Sequence, residues 1–232
     1  MEITKGMIQL PAPGGSLSAL LARPRADARY PGVVVVQEAF GLNQHIKDVA
    51  CRIAAEGYAV VAPDLYYREQ GAVVGYDDLQ EAIRLMMTLS DDNVIADMKA
   101  VVDYLKGQPF THPDRVGVTG FCMGGRVSFL TACRNPDVKA AVPFYGGRIG
   151  RNMQTNDKTP KAPLEYAASL AAPMLLFFGE DDSFIALDEV ELIKRRLAEL
   201  GKQAETVVYP GAPHGFFCEE RPSYQPDAAK DA

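Results

Sequence analysis

Apolar residues in this chain fall into short unbroken runs, separated by longer stretches in which they recur every three or four positions. The unbroken runs are Gly32-Val33-Val34-Val35-Val36, Tyr58-Ala59-Val60-Val61-Ala62 (closed by Pro63), Val138-Lys139-Ala140-Ala141-Val142, Pro173-Met174-Leu175-Leu176-Phe177-Phe178 and Ala204-Glu205-Thr206-Val207-Val208-Tyr209. Most have the length and composition of strands covered on both faces. The spaced pattern predicts a helix between Asn43, as N-cap, and Gly57, as stop, with Ile46, Val49, Ala50 and Ile53 on one face. Further helices are predicted over 78–89, over 92–105 (Val94, Met98, Val101, Val102, Leu105, then Gly107) and over 187–200 (Leu192, Ile193, Leu197, Leu200, then Gly201). At the start, Met7-Ile8-Gln9-Leu10 and Leu17-Ser18-Ala19-Leu20-Leu21-Ala22 form an antiparallel pair around Pro13-Gly14-Gly15. Strand and helix alternate from end to end, so the predicted class is α/β, a mostly parallel central sheet with helices on both faces. There is no internal repeat and no linker, and residues 1–232 are expected to form one domain. Segments 66–76 and 146–163 are polar and turn-rich, as loops over strand ends that shape a site are. The tail 226–232 begins like a helix and stops after about two turns, so a trimmed or frayed end is expected.

Bulk composition narrows the function classes. At 232 residues, 47% hydrophobic and 23% charged, the chain has enough apolar material for one large core. A net charge of −6 argues against nucleic acid or an anionic membrane as partner. No apolar run approaches the roughly 20 residues a membrane helix needs, and Met1-Glu2-Ile3-Thr4-Lys5 lacks the apolar region of a secretion signal. The cysteines, Cys51, Cys122, Cys133 and Cys218, show neither CxxC spacing nor a histidine-containing cluster suited to zinc. A reducing cytoplasm, no metal, no cofactor and a monomer or small homo-oligomer are therefore expected.

The chemistry centres on Gly120-Phe121-Cys122-Met123-Gly124-Gly125. A short β-branched run, Arg115-Val116-Gly117-Val118-Thr119, leads into it, and an apolar helical run, Val127-Ser128-Phe129-Leu130-Thr131-Ala132-Cys133, leads out. Strand, sharp turn and helix with glycines two before and two after the tip make a nucleophile elbow, here with a thiol in place of the usual hydroxyl. The thiol faces the positive end of the helix that follows, which favours thiolate.

A thiol nucleophile needs a base, and the base needs an orienting acid. Of the three histidines, His45 opens a predicted helix before the elbow and His112 lies in a turn on the entry side of its strand. His214, in Pro210-Gly211-Ala212-Pro213-His214-Gly215-Phe216, follows the last strand on the exit side, where ligands bind in open α/β sheets. The acid should leave the preceding strand, in Gly179-Glu180-Asp181-Asp182-Ser183-Phe184-Ile185. The pattern G-x-x-D-x-x-I selects Asp182, while spacing alone leaves Asp181 open, and either aspartate is also a natural cap for the helix that follows. Backbone N–H groups of Met123 and of Ala39, in the loop Gln37-Glu38-Ala39-Phe40-Gly41, are placed to hold an oxyanion. Glu38, a carboxylate at the end of a buried strand, reads either as a structural ion pair or as a gate on the thiol's charge.

With these motifs in this order the chain resembles the dienelactone hydrolase family, a branch of the α/β-hydrolases. The likeness rests on the 37–41 loop, Ala62-Pro63-Asp64-Leu65-Tyr66, the elbow, the Asp182 strand end and His214-Gly215-Phe216, and it spans nearly the whole chain. It implies a Cys122–His214–Asp182 triad, a Glu38 that holds the resting thiol and swings when substrate arrives, and hydrolysis of a small-molecule lactone or ester through a thioester. Family members that take the anionic dienelactone hold its carboxylate with two arginines. Here Leu79 and Cys218 occupy those positions, with Arg84 about one turn from the first. Arg148, Arg151 and Arg221 are further substitute cations. Tyr145 and Arg84 are the substrate-binding candidates, and neutral esters or lactones are the expected substrates. Two other classes share this sequence: a thiol-based redox protein using Cys122, and a non-catalytic binding module on the same scaffold.

Overall fold

The computed structural model describes residues 1–151 and 156–232; the expected 146–163 loop thus lies partly outside the described residues. Its centre is an eight-stranded sheet in the order β1-β2-β4-β3-β5-β6-β7-β8. The strands are β1 (Ile3–Ala12), β2 (Gly15–Pro24), β3 (Tyr30–Val36), β4 (Ala59–Pro63), β5 (Thr111–Phe121), β6 (Val138–Phe144), β7 (Met174–Gly179) and β8 (Ala204–Tyr209). β2 runs antiparallel to both its neighbours, and every pairing from β4 to β8 is parallel.

The helices are α1 (Gln44–Ala55), α2 (Leu79–Met86), α3 (Asp91–Gly107), α4 (Met123–Arg134), α5 (Leu187–Glu199) and α6 (Pro226–Asp231). Asn43 caps α1 by accepting the Ile46 N–H at 3.1 Å, and the buried face of that helix carries Ile46, Val49 and Ala50. Parallel crossovers are right-handed, so the direction of each step fixes the face its helix covers. The step from β3 to β4 runs one way along the sheet; the steps from β4 to β5 and onward run the other way. α1 therefore covers one face, and α3, α4 and α5 cover the other.

Several element bounds differ from the sequence reading. His112, expected in a turn, lies inside β5, because Thr111 pairs with Tyr30 and Val116 with Gly32 of β3 and residues 112–115 span the irregularity between the two pairs. α4 starts at Met123, directly after the elbow. α2 ends at Met86, and Thr88 satisfies the Leu85 carbonyl through its hydroxyl at 2.8 Å. The 66–76 loop includes a short 3-10 turn, Tyr67–Glu69, and the second loop runs into another, Pro163–Ser169.

No helix among the described residues is long and apolar enough to cross a membrane. A hollow of about 670 Å³ lies on the α1 face and is lined by Val33, Val49, Ile53, Val118, Val142 and Phe217 among others. Its lining lacks Cys122, Asp182 and His214, so this hollow does not locate the chemistry.

Candidate active site

β3 and β5 are adjacent, and the chain leaves them in opposite directions along the sheet. Such a switch point opens a crevice beyond the strand ends. The loop after β3 carries Glu38 and Ala39, and the turn after β5 carries Cys122.

Cys122 has φ 55 and ψ −116, a left-handed conformation that non-glycine residues rarely adopt. Packing holds it there. A Cβ at Gly120 would strike the Gly124 carbonyl, and one at Gly124 would strike the Val36 and Gln37 carbonyls, so strand, helix and the neighbouring β3 end close on one another only with glycine at both places. The Cys122 N–H is bonded to the Phe144 carbonyl at the end of β6 (3.1 Å), and its own carbonyl accepts from Gly125 at 3.0 Å and Arg126 at 3.3 Å. The bend is thus tied to a neighbouring strand on one side and to α4 on the other, which leaves the partly exposed side chain at the crest.

The loops after β7 and β8 are bonded to each other. Glu180 N–H donates to the Tyr209 carbonyl at 2.9 Å, and Asp181 N–H to the Ala212 carbonyl at 3.0 Å. This fixes Asp182 against His214, with Oδ2 2.7 Å from Nδ1. The other carboxylate oxygen, Oδ1, accepts the N–H groups of Phe184 (2.8 Å) and Ile185 (3.1 Å). Asp181 is exposed and Asp182 buried, so of the two aspartates left open by spacing, Asp182 is the one joined to the imidazole.

With Nδ1 engaged by Asp182, the imidazole also lies close enough to Cys122 to feel its charge. Burial is the largest single influence on His214 and acts against its charged form. The charge of Cys122 and the bonds to Asp182 and Cys122 outweigh it, and together they bring the group from 6.5 up to about 10. The arrangement favours a protonated imidazole. His45, in contrast, is pushed down to about 4 by burial and by Arg52 and packs edge-on to Phe121 and Phe217, as a neutral core residue.

Glu38 is fully buried, and its contacts form a polar cluster. Tyr76 donates to its Oε2 at 3.3 Å, and the Arg221 guanidinium lies 3.6 Å from Oε1. The Tyr76 hydroxyl in turn accepts from Asn43 (2.9 Å) and from the Cys218 thiol (3.2 Å). Burial pushes the Glu38 carboxyl up, with Arg221, His214 and Tyr76 opposing. The ion-pair reading of Glu38 thus has its partner in Arg221, and His214 is near enough to act on the carboxyl's charge.

Of the four substitute cations, only Arg221 contacts Glu38; it also spans the rings of Phe40 and Tyr76. Arg84 faces solvent on α2 and pairs with Glu81 at 2.7 Å, and Arg151 pairs with Asp188 at 2.9 Å. Arg148 lies near the buried Arg126–Asp91 pair, and burial lowers it. Tyr145 is fully buried with φ 36, its ring 5.1 Å from that of His214. On the outer side of the same imidazole stands Phe184, 59% exposed, with ring centroids 5.0 Å apart. Sequence reasoning missed Tyr76 and Phe184. Tyr76 sits in a loop without periodic signal, and Phe184 occupies a variable place inside the aspartate motif. Among the described residues no three His, Cys, Asp or Glu side chains are grouped to hold a metal ion.

Known proteins resemble this chain over nearly its whole length. The model of the dienelactone hydrolase family matches residues 17–232. A Salmonella typhimurium protein assigned as a carboxymethylenebutenolidase is 38% identical over 231 residues, covering 99% of this chain and 84% of its own. A Bradyrhizobium protein assigned as a 2-oxo-3-(5-oxofuran-2-ylidene)propanoate lactonase is 34% identical over 222 residues, covering 94% of this chain and 86% of its own. A crystal structure from Klebsiella pneumoniae, assigned as a dienelactone hydrolase, superposes with a TM-score of 0.90 at 38% identity, covering 100% of this chain and 95% of that one.

Proposed function

The chain belongs to the dienelactone hydrolase family and has its α/β-hydrolase fold, and from that premise we propose that it hydrolyses carboxylic esters or lactones by transferring the acyl group to Cys122. The observation that carries the proposal is the line from Asp182 through His214 to a thiol held at a strained crest.

The Cys122 sulfur attacks the ester carbonyl carbon, and the carbonyl electrons move to oxygen. The N–H groups of Ala39 and Met123 receive that oxyanion. Met123 opens α4, where the first N–H groups have no partner inside the helix, and each such donor is worth about 3 kcal/mol in the transition state. The carbon–oxygen bond breaks, and the leaving oxygen takes the proton of the imidazolium. Neutral His214 then takes a proton from water as its oxygen attacks the thioester. The carbon–sulfur bond breaks, returning the thiolate, the imidazolium and a carboxylic acid. Asp182 holds the imidazole in the tautomer both steps require. Glu38, anchored by Tyr76 and Arg221, sets the charge next to the thiol and serves as its gate.

A thiolate leaves a tetrahedral intermediate more readily than an alkoxide does, so simple alkyl esters tend to re-form. Substrates whose leaving oxygen is a poor nucleophile suit this chemistry best. Turnover of p-nitrophenyl acetate and of a lactone panel, by the intact protein and by Cys122→Ala, tests the reading. Loss of turnover in the variant is expected; equal rates overturn the nucleophile assignment.

A further inference from the structure

His214 is flanked by two rings at nearly equal distance, Tyr145 at 5.1 Å and Phe184 at 5.0 Å, each roughly edge-on to the imidazole. Tyr145 is closed off from solvent, whereas Phe184 is 59% exposed. Of these two rings, Phe184 is the one an approaching molecule can meet. The backbone of Phe184 is also held in place, because its N–H is bonded to the same Asp182 carboxylate that orients the histidine. The backbone from which the ring projects is thus tied to the residue that orients the imidazole.

In the reaction proposed above, the leaving oxygen must lie within hydrogen-bond distance of His214 when the carbon–oxygen bond breaks. A group attached to that oxygen comes within reach of Phe184, and a half-bare aromatic ring gains most from a flat aromatic neighbour. We propose that Phe184 is a specificity-determining residue that selects esters with a planar aromatic leaving group, making aryl esters a preferred substrate class. This inference rests on the hydrolase reading and adds the chemical class of the leaving group. It fits the thiol chemistry as well, since an aryl oxide is a poor nucleophile for the returning step.

The test compares phenyl acetate with hexafluoroisopropyl acetate, whose leaving groups are of similar acidity but differ in flatness. The intact protein is expected to favour the aryl ester in kcat/KM by about tenfold, the factor a good aromatic contact supplies. Phe184→Ala and Phe184→Leu should bring the ratio toward one, mainly through KM, and Phe184→Tyr should restore it. A ratio near one in the intact protein, or one unchanged in Phe184→Ala, overturns the proposal; so does an equal loss on both esters through kcat. A second readout is independent of turnover. Phenol should protect Cys122 from iodoacetamide at about tenfold lower concentration than cyclohexanol, with the difference gone in Phe184→Leu. Equal protection overturns the role of Phe184. Persistence of ester turnover in Cys122→Ala overturns the thiol mechanism instead, so the two failures are told apart.

Discussion

Asp182 Oδ2 and His214 Nδ1 lie 2.7 Å apart, with both side chains almost wholly closed off from water. Asp182→Asn places an amide where the imidazole needs an acceptor, and either amide orientation disturbs a bond that the carboxylate now makes. The expected result is a fall in kcat of about 10³–10⁴-fold, with Asp181→Asn within about twofold because surface changes away from such features do little. Steady-state kinetics on one activated ester checks both.

The charge state of His214 follows from its neighbour. The imidazole is held up to about 10 against an ordinary 6.5, with the Cys122 charge as the largest upward influence. A raised value means that the ring stays protonated through neutral pH and gives up its proton near the upper figure. In Cys122→Ala the negative charge is gone, burial gains weight, and the midpoint must fall. NMR titration of the imidazole in the two proteins reads this directly; an unshifted midpoint counts against the ion pair.

Glu38 is also raised, by burial first, and Arg221 does not cancel the effect. For a group lifted above its usual 4.5, stability is fullest below that pH and declines as pH rises toward the folded value. Glu38→Gln imitates the uncharged form. It should melt with the parent protein at pH 4 and above it at pH 8, by about 2–4 °C for each kcal/mol in a chain of this size. Thermal melts at the two pH values measure the difference, and a variant that melts lower at pH 8 contradicts the argument.

Arg126, in the first turn of α4, grips Asp91 at the start of α3 through two bonds of 2.6 and 3.0 Å, both side chains 11% exposed. Removing one partner leaves a buried charge alone. Asp91→Ala is expected to cost about 3–5 kcal/mol in urea unfolding. A loss below about 1 kcal/mol, the range of surface pairs, would place this contact among the solvated ones.

Most of the fold is legible in the sequence because its signals are local. The runs at 32–36, 58–62 and 173–178 can only be covered strands, and Asn43 and Gly57 bracket α1 in one dimension as they do in three. The elbow is readable because its glycines are forced by close approach. What the sequence hides is long-range. His112 looks like a turn because His-Pro-Asp usually makes one, and only pairing with β3 draws it into β5. Arg84 and Arg221 look alike as free cations; the first is spent on Glu81, one helical turn away, and the second reaches across 183 positions of chain to Glu38. Nothing short of the folded crevice separates them.

The thiol and its acid–base partners belong to parts of the sheet that differ in security. Cys122 springs from β5, flanked by strands on both sides, whereas Asp182 and His214 follow β7 and β8, the last two strands before the open edge. Edge elements are where partial opening and amide exchange begin. A chain frayed there would keep its cysteine available to alkylating reagents while having lost turnover, so labelling can overstate the fraction of competent enzyme. Hydrogen exchange along 204–209 would be the better gauge of a preparation's working lifetime.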